Sequence, residues 1–247
     1  MNYLIVGASS GLGRDLAYTL SKNSHDLILI SRDKRDLDAL KSDLENKYNT
    51  KINSYAVDMA SKDSVISFLN NNEIKFSSID GVLFPIGMMS DSDSITQIKD
   101  GIDQINNANF LSIVKFLEKI MPIFIEKKQG TVVGFGSIAS SLGRKKNMIY
   151  SASKRALNSY FESLLATFIS SDIKIQFYIL GYLDTNLAFD KQLILPKAST
   201  KKLSIKVFKN INKCNIREYY PTWWWPIAYF ISLIPFFVIK KLFKFIK

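Results

Sequence analysis

The chain reads as one α/β domain, a doubly wound parallel sheet of about seven strands with helices on both faces, followed by a tail of different character. Three observations predict it. Apolar runs of strand length alternate with helix-length segments, and a glycine-rich turn joins the first strand to the first helix. The 247 residues, 47% hydrophobic and 22% charged, suit a single folded core rather than two domains or a disordered chain.

In order, Tyr3–Val6, Asp26–Ile30, Lys51–Val57, Gly81–Phe84, Thr131–Phe135 and Lys174–Ile179 are short runs rich in Val, Ile, Leu and aromatics, and they predict strands. Arg217–Tyr220 adds a last strand. Leu12–Asn23, Lys34–Tyr48, Lys62–Asn71, Ile102–Lys127 and Tyr150–Ser170 carry spacing near 3.6 residues and predict the intervening helices. Lys197–Lys213 is basic and helical in pattern, with Ile205, Val207, Phe208 and Ile211 on its apolar side. Strands that are apolar throughout belong to parallel sheets buried on both faces. The domain is expected to occupy residues 1–220 and the tail 221–247.

Composition narrows the chemistry. Cys214 is the only cysteine and His25 the only histidine, which excludes an intrachain disulfide and argues against a zinc site, a Ser-His-Asp triad or a Cys-His pair. No metal is expected. The formal charge of +11 comes entirely from residues 191–247, because the first 190 residues hold 21 basic and 21 acidic groups. Met1–Val6 runs directly into the glycine turn, too short for a secretory h-region, so the body is expected in the cytoplasm.

The turn itself is Gly7-Ala8-Ser9-Ser10-Gly11-Leu12-Gly13. Glycine lets a backbone approach phosphates that a side chain would hold off, and the helix that begins near Leu12 offers free N–H groups and a positive dipole end. An ordinary glycine-rich connection is the plain alternative. Its position directly after an apolar strand favours a nucleotide site of the Rossmann-like kind.

A second constellation lies downstream. Tyr150-Ser151-Ala152-Ser153-Lys154 places a phenol and an ammonium at i and i+4, on one face of a helix. A phenol of ordinary pKa is a poor proton donor and acceptor at neutral pH, and an ammonium one turn away favours the phenolate. Taken alone, such a pair is also what a helix surface offers. Ser137 strengthens it, since it follows the strand Thr131–Phe135 at the edge where open α/β sheets bind ligands.

Gly-x-x-x-Gly-x-Gly, the separation of thirteen positions from Ser137 to Tyr150, the Tyr-x-x-x-Lys pair and Asn109 in Ala108-Asn109-Phe110 together resemble the short-chain dehydrogenase/reductase family. The resemblance implies an NADP-dependent oxidoreductase with a catalytic tetrad of Asn109, Ser137, Tyr150 and Lys154. It implies hydride transfer from NADPH to a carbonyl, with Tyr150 protonating the oxygen, Ser137 hydrogen-bonding it and Asn109 holding a water that links Lys154 to solvent. It also implies cofactor contacts from Gly7, Ser9, Ser10, Gly11, Leu12 and Gly13, from Asp58 and its neighbour Met59 at the adenine, and from Gly87, Thr185, Tyr150 and Lys154 nearer the nicotinamide.

The second strand ends in Ser31-Arg32 rather than in the carboxylate that would repel a 2′-phosphate, so NADP(H) is expected over NAD. A solvated Arg32 is the alternative. Two stretches depart from the family. Phe84-Pro85-Ile86-Gly87 stands where Asn-Asn-Ala-Gly is usual, and Leu180-Gly181 where Pro-Gly is usual. Both keep the glycine, which predicts an unchanged backbone there. A non-catalytic NADP-binding sensor is the rival reading, and the intact tetrad opposes it.

In the tail, residues 223–239 run seventeen residues without a charge, open on Trp223-Trp224-Trp225 and lead into Lys240-Lys241. Three readings stay open: an interfacial helix on an anionic membrane, a segment packed over the substrate pocket or a partner subunit, and a short spanning helix. No nucleic-acid motif accompanies the charge, and none is expected as partner. The tail resembles that of reductases acting on keto-sugars linked to polyprenyl phosphate, which implies a lipid-linked carbonyl substrate; a 3-ketoacyl, ketosphingoid or steroid-like carbonyl is the alternative. By the same resemblance, a homodimer or homotetramer is expected, peripheral on the cytoplasmic membrane face.

Overall fold

The computed structural model describes residues 1–71, 74–90, 93, 101–143, 147–185, 196–235, 237–238 and 240–241. Its sheet runs β3-β2-β1-β4-β5-β6-β7, and every neighbouring pair is parallel. The strands are β1 (Asn2–Val6), β2 (Asp26–Ser31), β3 (Ile52–Ala56), β4 (Gly81–Phe84), β5 (Gly130–Ser137), β6 (Ile173–Leu180) and β7 (Ile216–Tyr220). The helices are α1 (Gly11–Lys22), α2 (Lys34–Lys47), α3 (Lys62–Asn70), α4 (Gly101–Asn106), α5 (Ser112–Lys127), α6 (Met148–Thr167), α7 (Thr200–Asn210) and α8 (Trp224–Leu233).

Alternation along each strand divides the core in two. Leu4 and Val6 face α3, α5 and α6, while Tyr3 and Ile5 face α1, α2 and α7. Each fully buried Val, Leu, Ile or Phe side chain contributes roughly 1.5–3 kcal/mol, so a sheet apolar on both faces needs helices on both. The long helix expected over Ile102–Lys127 is instead two, joined by a π-type turn at Asn107–Leu111. Such a turn inserts one residue into the hydrogen-bond ladder, and it swings Asn109 into the interior, where it is fully buried. Apolar periodicity continues through the turn, so the pattern gives no sign of the break.

Strand order reverses between β1 and β4, and ligands of open α/β sheets bind beyond the carboxyl ends at that point. The loops after β1 and β4 meet there: a Cβ on Gly7 would stand 3.0 Å from the Ile86 Cα. Ser137 ends β5, one strand further along.

Candidate active site

The turn after β1 is a backbone cradle. Gly7 (φ 98°) and Gly11 (φ 48°) hold left-handed conformations that side chains oppose, and a Cβ on Gly13 would run into the Gly7 carbonyl oxygen. Ser10 precedes α1 in extended conformation without capping it through its side chain, so the first-turn N–H groups receive no side-chain cap from within the turn. Leu12 anchors the helix start in the core. Arg14 bends back and donates from Nε to the Ser9 carbonyl at 2.9 Å, stiffening the turn.

The end of β2 is tied to this cradle. Ser9 Oγ and Ser31 Oγ share a hydrogen bond of 2.7 Å, and Arg32 beside them is exposed. Among the described residues Arg32 forms no ion pair with a protein carboxylate, which leaves its guanidinium to an incoming anion. Asp58 Oδ1 accepts from Ala60 N at 3.0 Å, and buried Met59 accepts from Ser112 Oγ at 2.8 Å. The loop after β3 is thus fixed from within and from α5.

Tyr150 and Lys154 lie on α6, with Tyr150 half-buried in its first turn. Lys154 is buried, and its Nζ donates to the carbonyls of Ile86 at 3.1 Å and Phe135 at 3.2 Å. Two of three ammonium donors are therefore spent on strand ends, and burial pulls the amine down to about 8 from an ordinary 10.5. Ser137 Oγ accepts from Ala139 N at 3.2 Å, which keeps its own O–H to donate. The Asn109 amide clamps Met88 from both sides, with Oδ1 accepting from its N–H at 2.7 Å and Nδ2 donating to its carbonyl at 2.8 Å. Nδ2 also donates to Ser153 Oγ at 3.0 Å, and Ser153 donates to the Tyr150 carbonyl at 2.9 Å. Lys154, Asn109 and the backbone of Tyr150 are therefore tied together at the loop after β4 and at β5, the strand that ends in Ser137.

Thr185 sits over the turn, 3.2 Å from where a Cβ of Gly11 would lie. Its segment is held by Asp184, whose N–H donates to Ala198 at 3.0 Å and whose carboxylate accepts from Thr200 N at 2.7 Å. Gly87 follows Ile86 in the loop that Lys154 and Asn109 both grip. His25 lies far from these groups, edge-on to Tyr3 at 5.2 Å, and the Cys214 thiol is exposed.

Packing accounts for Phe84, at the first departure, and for the glycine retained beside Leu180 at the second. Phe84 is fully buried against Phe116, with ring centroids 6.4 Å apart, where the usual asparagine would be polar. Gly181 is outside the left-handed glycines of the described residues, and a Cβ there would collide with the Trp224 indole. The missing side chain at Gly181 therefore makes room for the Trp224 indole. The indole N–H is buried, with no hydrogen-bond partner among the described residues. Trp224 and Ala228 of α8 pack on Ile138, next to Ser137, with Tyr182 alongside. Packing of the tail on the body is one of the three readings the sequence leaves open; the particular partners of Trp224 are not legible in it, since a tryptophan in an apolar run carries no sign of which residue it will meet.

The opposite side of α8 exposes Trp225 (59%), Tyr229, Phe230 (66%) and Leu233, and Phe237 beyond it. Among the described residues no helix is long and apolar enough to cross a membrane.

The family model for short chain dehydrogenases matches residues 2–193. A very-long-chain 3-oxoacyl-CoA reductase from Homo sapiens is 25% identical over 216 residues, covering 84% of this chain and 67% of its own length. An NADP-dependent 3-hydroxy acid dehydrogenase from Schizosaccharomyces pombe is 26% identical over 188 residues, covering 75% and 72%. Among solved structures, a short-chain dehydrogenase from Sphingobium yanoikuyae in complex with NADPH matches with TM-score 0.78 at 22% identity, over 87% of each chain. The structural likeness establishes the fold, and the family match spans most of the molecule. The chain belongs to the short-chain dehydrogenase family.

Proposed function

We propose that this protein is an NADPH-dependent reductase that converts a ketone on an amphipathic, lipid-linked substrate to the alcohol at a membrane surface. The observation that carries the reading is the Tyr150–Lys154 pair on α6 beside Ser137, at the sheet edge that also bears the bare glycine cradle.

The residues present fit a dinucleotide. Gly7, Ser9, Ser10, Gly11, Leu12 and Gly13 hold the pyrophosphate, because the turn offers backbone N–H groups and no side chain bars the approach. Arg32, with Ser9 and Ser31, takes the 2′-phosphate through charge-assisted hydrogen bonds. Asp58 and Met59 border the adenine, and Gly87 and Thr185 the nicotinamide end. The relative from Schizosaccharomyces pombe is named as NADP-dependent, in agreement.

NADPH, when bound, supplies the hydride that reduces the carbonyl carbon. Tyr150 gives its phenolic proton to the carbonyl oxygen. The Lys154 ammonium supports the phenolate left behind, and its remaining donor would hold the cofactor ribose. Ser137 donates to the same oxygen, a contact that strengthens as negative charge develops there. The Asn109 amide is committed to Met88 and Ser153, so it holds the loop after β4 against α6.

The substrate class rests on relatives and tail. The relatives include 3-oxoacyl reductases, which favours an acyl-chain carbonyl; the basic, aromatic tail also suits a lipid-linked keto-sugar. Residues 221–247 form the membrane-binding part, with the exposed aromatics of α8 at the headgroup level and Lys240 and Lys241 drawn to anionic lipid. The body, residues 1–220, stays on the cytoplasmic side. It pairs into a homodimer or homotetramer through α5 and α6, whose surfaces include the exposed Ile125 and Met148.

The test is incubation of the protein and NADPH with a membrane lipid extract and, in parallel, with 3-oxoacyl thioesters. A two-hydrogen mass gain in one pool, matched by NADPH loss, is expected. NADPH left unconsumed with both pools contradicts the reading.

A further inference from the structure

The helix that bears Tyr150 begins without a cap of its own. Asn147 precedes it with φ 61° and ψ 42°, a left-handed conformation, and its side chain makes no capping hydrogen bond. The first N–H groups of any helix have no partner within it, and an uncapped first turn frays. Tyr150 stands in that first turn, whereas Lys154, one turn on, is locked by two carbonyls. Fraying would therefore move the phenol relative to the ammonium that tunes it.

One residue from elsewhere in the chain accepts from three of these donors. The Asp93 backbone carbonyl accepts from Met148 N at 3.2 Å, Oδ1 from Ile149 N at 2.8 Å and Oδ2 from Tyr150 N at 2.7 Å. Asp93 is only 1% exposed, and its carboxylate lies against the positive end of the α6 dipole. A carboxylate this buried is costly unless its oxygens are hydrogen-bonded, and here both are. It comes from the segment after β4, the same segment whose Met88 is clamped by Asn109.

We propose that Asp93 is a positioning residue for the reduction, a cap supplied from a distant segment that fixes the backbone of Tyr150 and thereby the phenol. The role rests on the reductase reading and acts through Tyr150 rather than on substrate. The geometry also separates Asp93 from a merely structural group: its two side-chain bonds end on Tyr150 and the residue before it.

The test compares wild-type protein with Asp93→Asn and Asp93→Ala by two readouts. Hydrogen exchange followed by mass spectrometry reports the amides of Ile149 and Tyr150, and steady-state kinetics report kcat, KM and the NADPH Kd. Asn keeps one acceptor oxygen in nearly the same volume, so it serves if Ala does not fold. Roughly tenfold faster exchange confined to the start of α6 is expected, with kcat down roughly tenfold and the NADPH Kd within about twofold. Asp93→Glu should recover part of kcat. Unchanged exchange at Ile149 and Tyr150 overturns the cap, and faster exchange with unchanged kcat overturns the positioning role. Exchange needs no turnover, so an inactive wild type would strike the reductase reading while the cap is still decided on the same chain.

Discussion

The ammonium of Lys154 lies 3.1 Å from the carbonyl oxygen of Ile86, tying the helix of Tyr150 to the loop after β4, beside the point where strand order reverses. Burial brings this amine to about 8, while in the unfolded chain it titrates near 10.5. Between those values the unfolded chain holds a proton that the folded one has released, so stability rises with pH over that interval. Lys154→Met removes the titration. The melting temperature of wild type is expected to rise relative to Lys154→Met as pH goes from 8 towards 10, read by thermal melts. In activity the same titration acts in reverse. The phenolate loses its ammonium, and kcat/KM for reduction should fall above a pH of about 8.

Arg32 is exposed beside the Ser9–Ser31 hydrogen bond. Replacing it by Asp places a carboxylate where a 2′-phosphate would lie. The KM for NADPH should rise roughly 10- to 100-fold, the worth of one or two charge-assisted hydrogen bonds, and NADH should become the better cofactor. Initial rates with both cofactors check this.

Gly181 exists for Trp224, so Gly181→Ala should push the indole out of its seat. Overpacking of this kind costs about 1–3 kcal/mol. The melting temperature should drop by roughly 2–10 °C, and α8 should become more open to protease. Among the described residues no atom lies within 4 Å of a Cβ added at Gly143, and Gly143→Ala is the matched control with little change expected.

The exposed side of α8 should govern lipid binding. Trp225→Ser with Phe230→Ser removes two large aromatics without touching Trp224 or Ala228, which face the body. Binding to phosphatidylglycerol vesicles should fall at least tenfold in co-sedimentation, each buried aromatic contributing on the order of 1–3 kcal/mol. Reduction of a small soluble ketone should hold.

Much of this was legible in the sequence because the signals were local. Strand runs and the glycine turn depend on neighbours a few residues apart, and Tyr150 with Lys154 needs only one helical turn. Ser137 follows from its place after an apolar strand. What stayed hidden depends on contacts distant along the chain. Asp93 meets α6 some 55 residues later, and no sequence pattern marks a cap that comes from so far. The π-type turn at Asn107–Leu111 was concealed by apolar spacing that continues through it. The room that Gly181 leaves for Trp224 was hidden for the same reason, a contact between residues distant along the chain.

The central claim is that the Tyr150 hydroxyl transfers the proton in a reduction that uses bound NADPH. The most direct measurement pairs NADPH binding, by fluorescence titration, with turnover of a ketone by wild type and Tyr150→Phe. The account predicts an NADPH Kd within about threefold of wild type and kcat lower by about 10²- to 10⁴-fold, the range of a lost general acid. A Tyr150→Phe protein that binds NADPH and turns over the ketone at wild-type rate would contradict it.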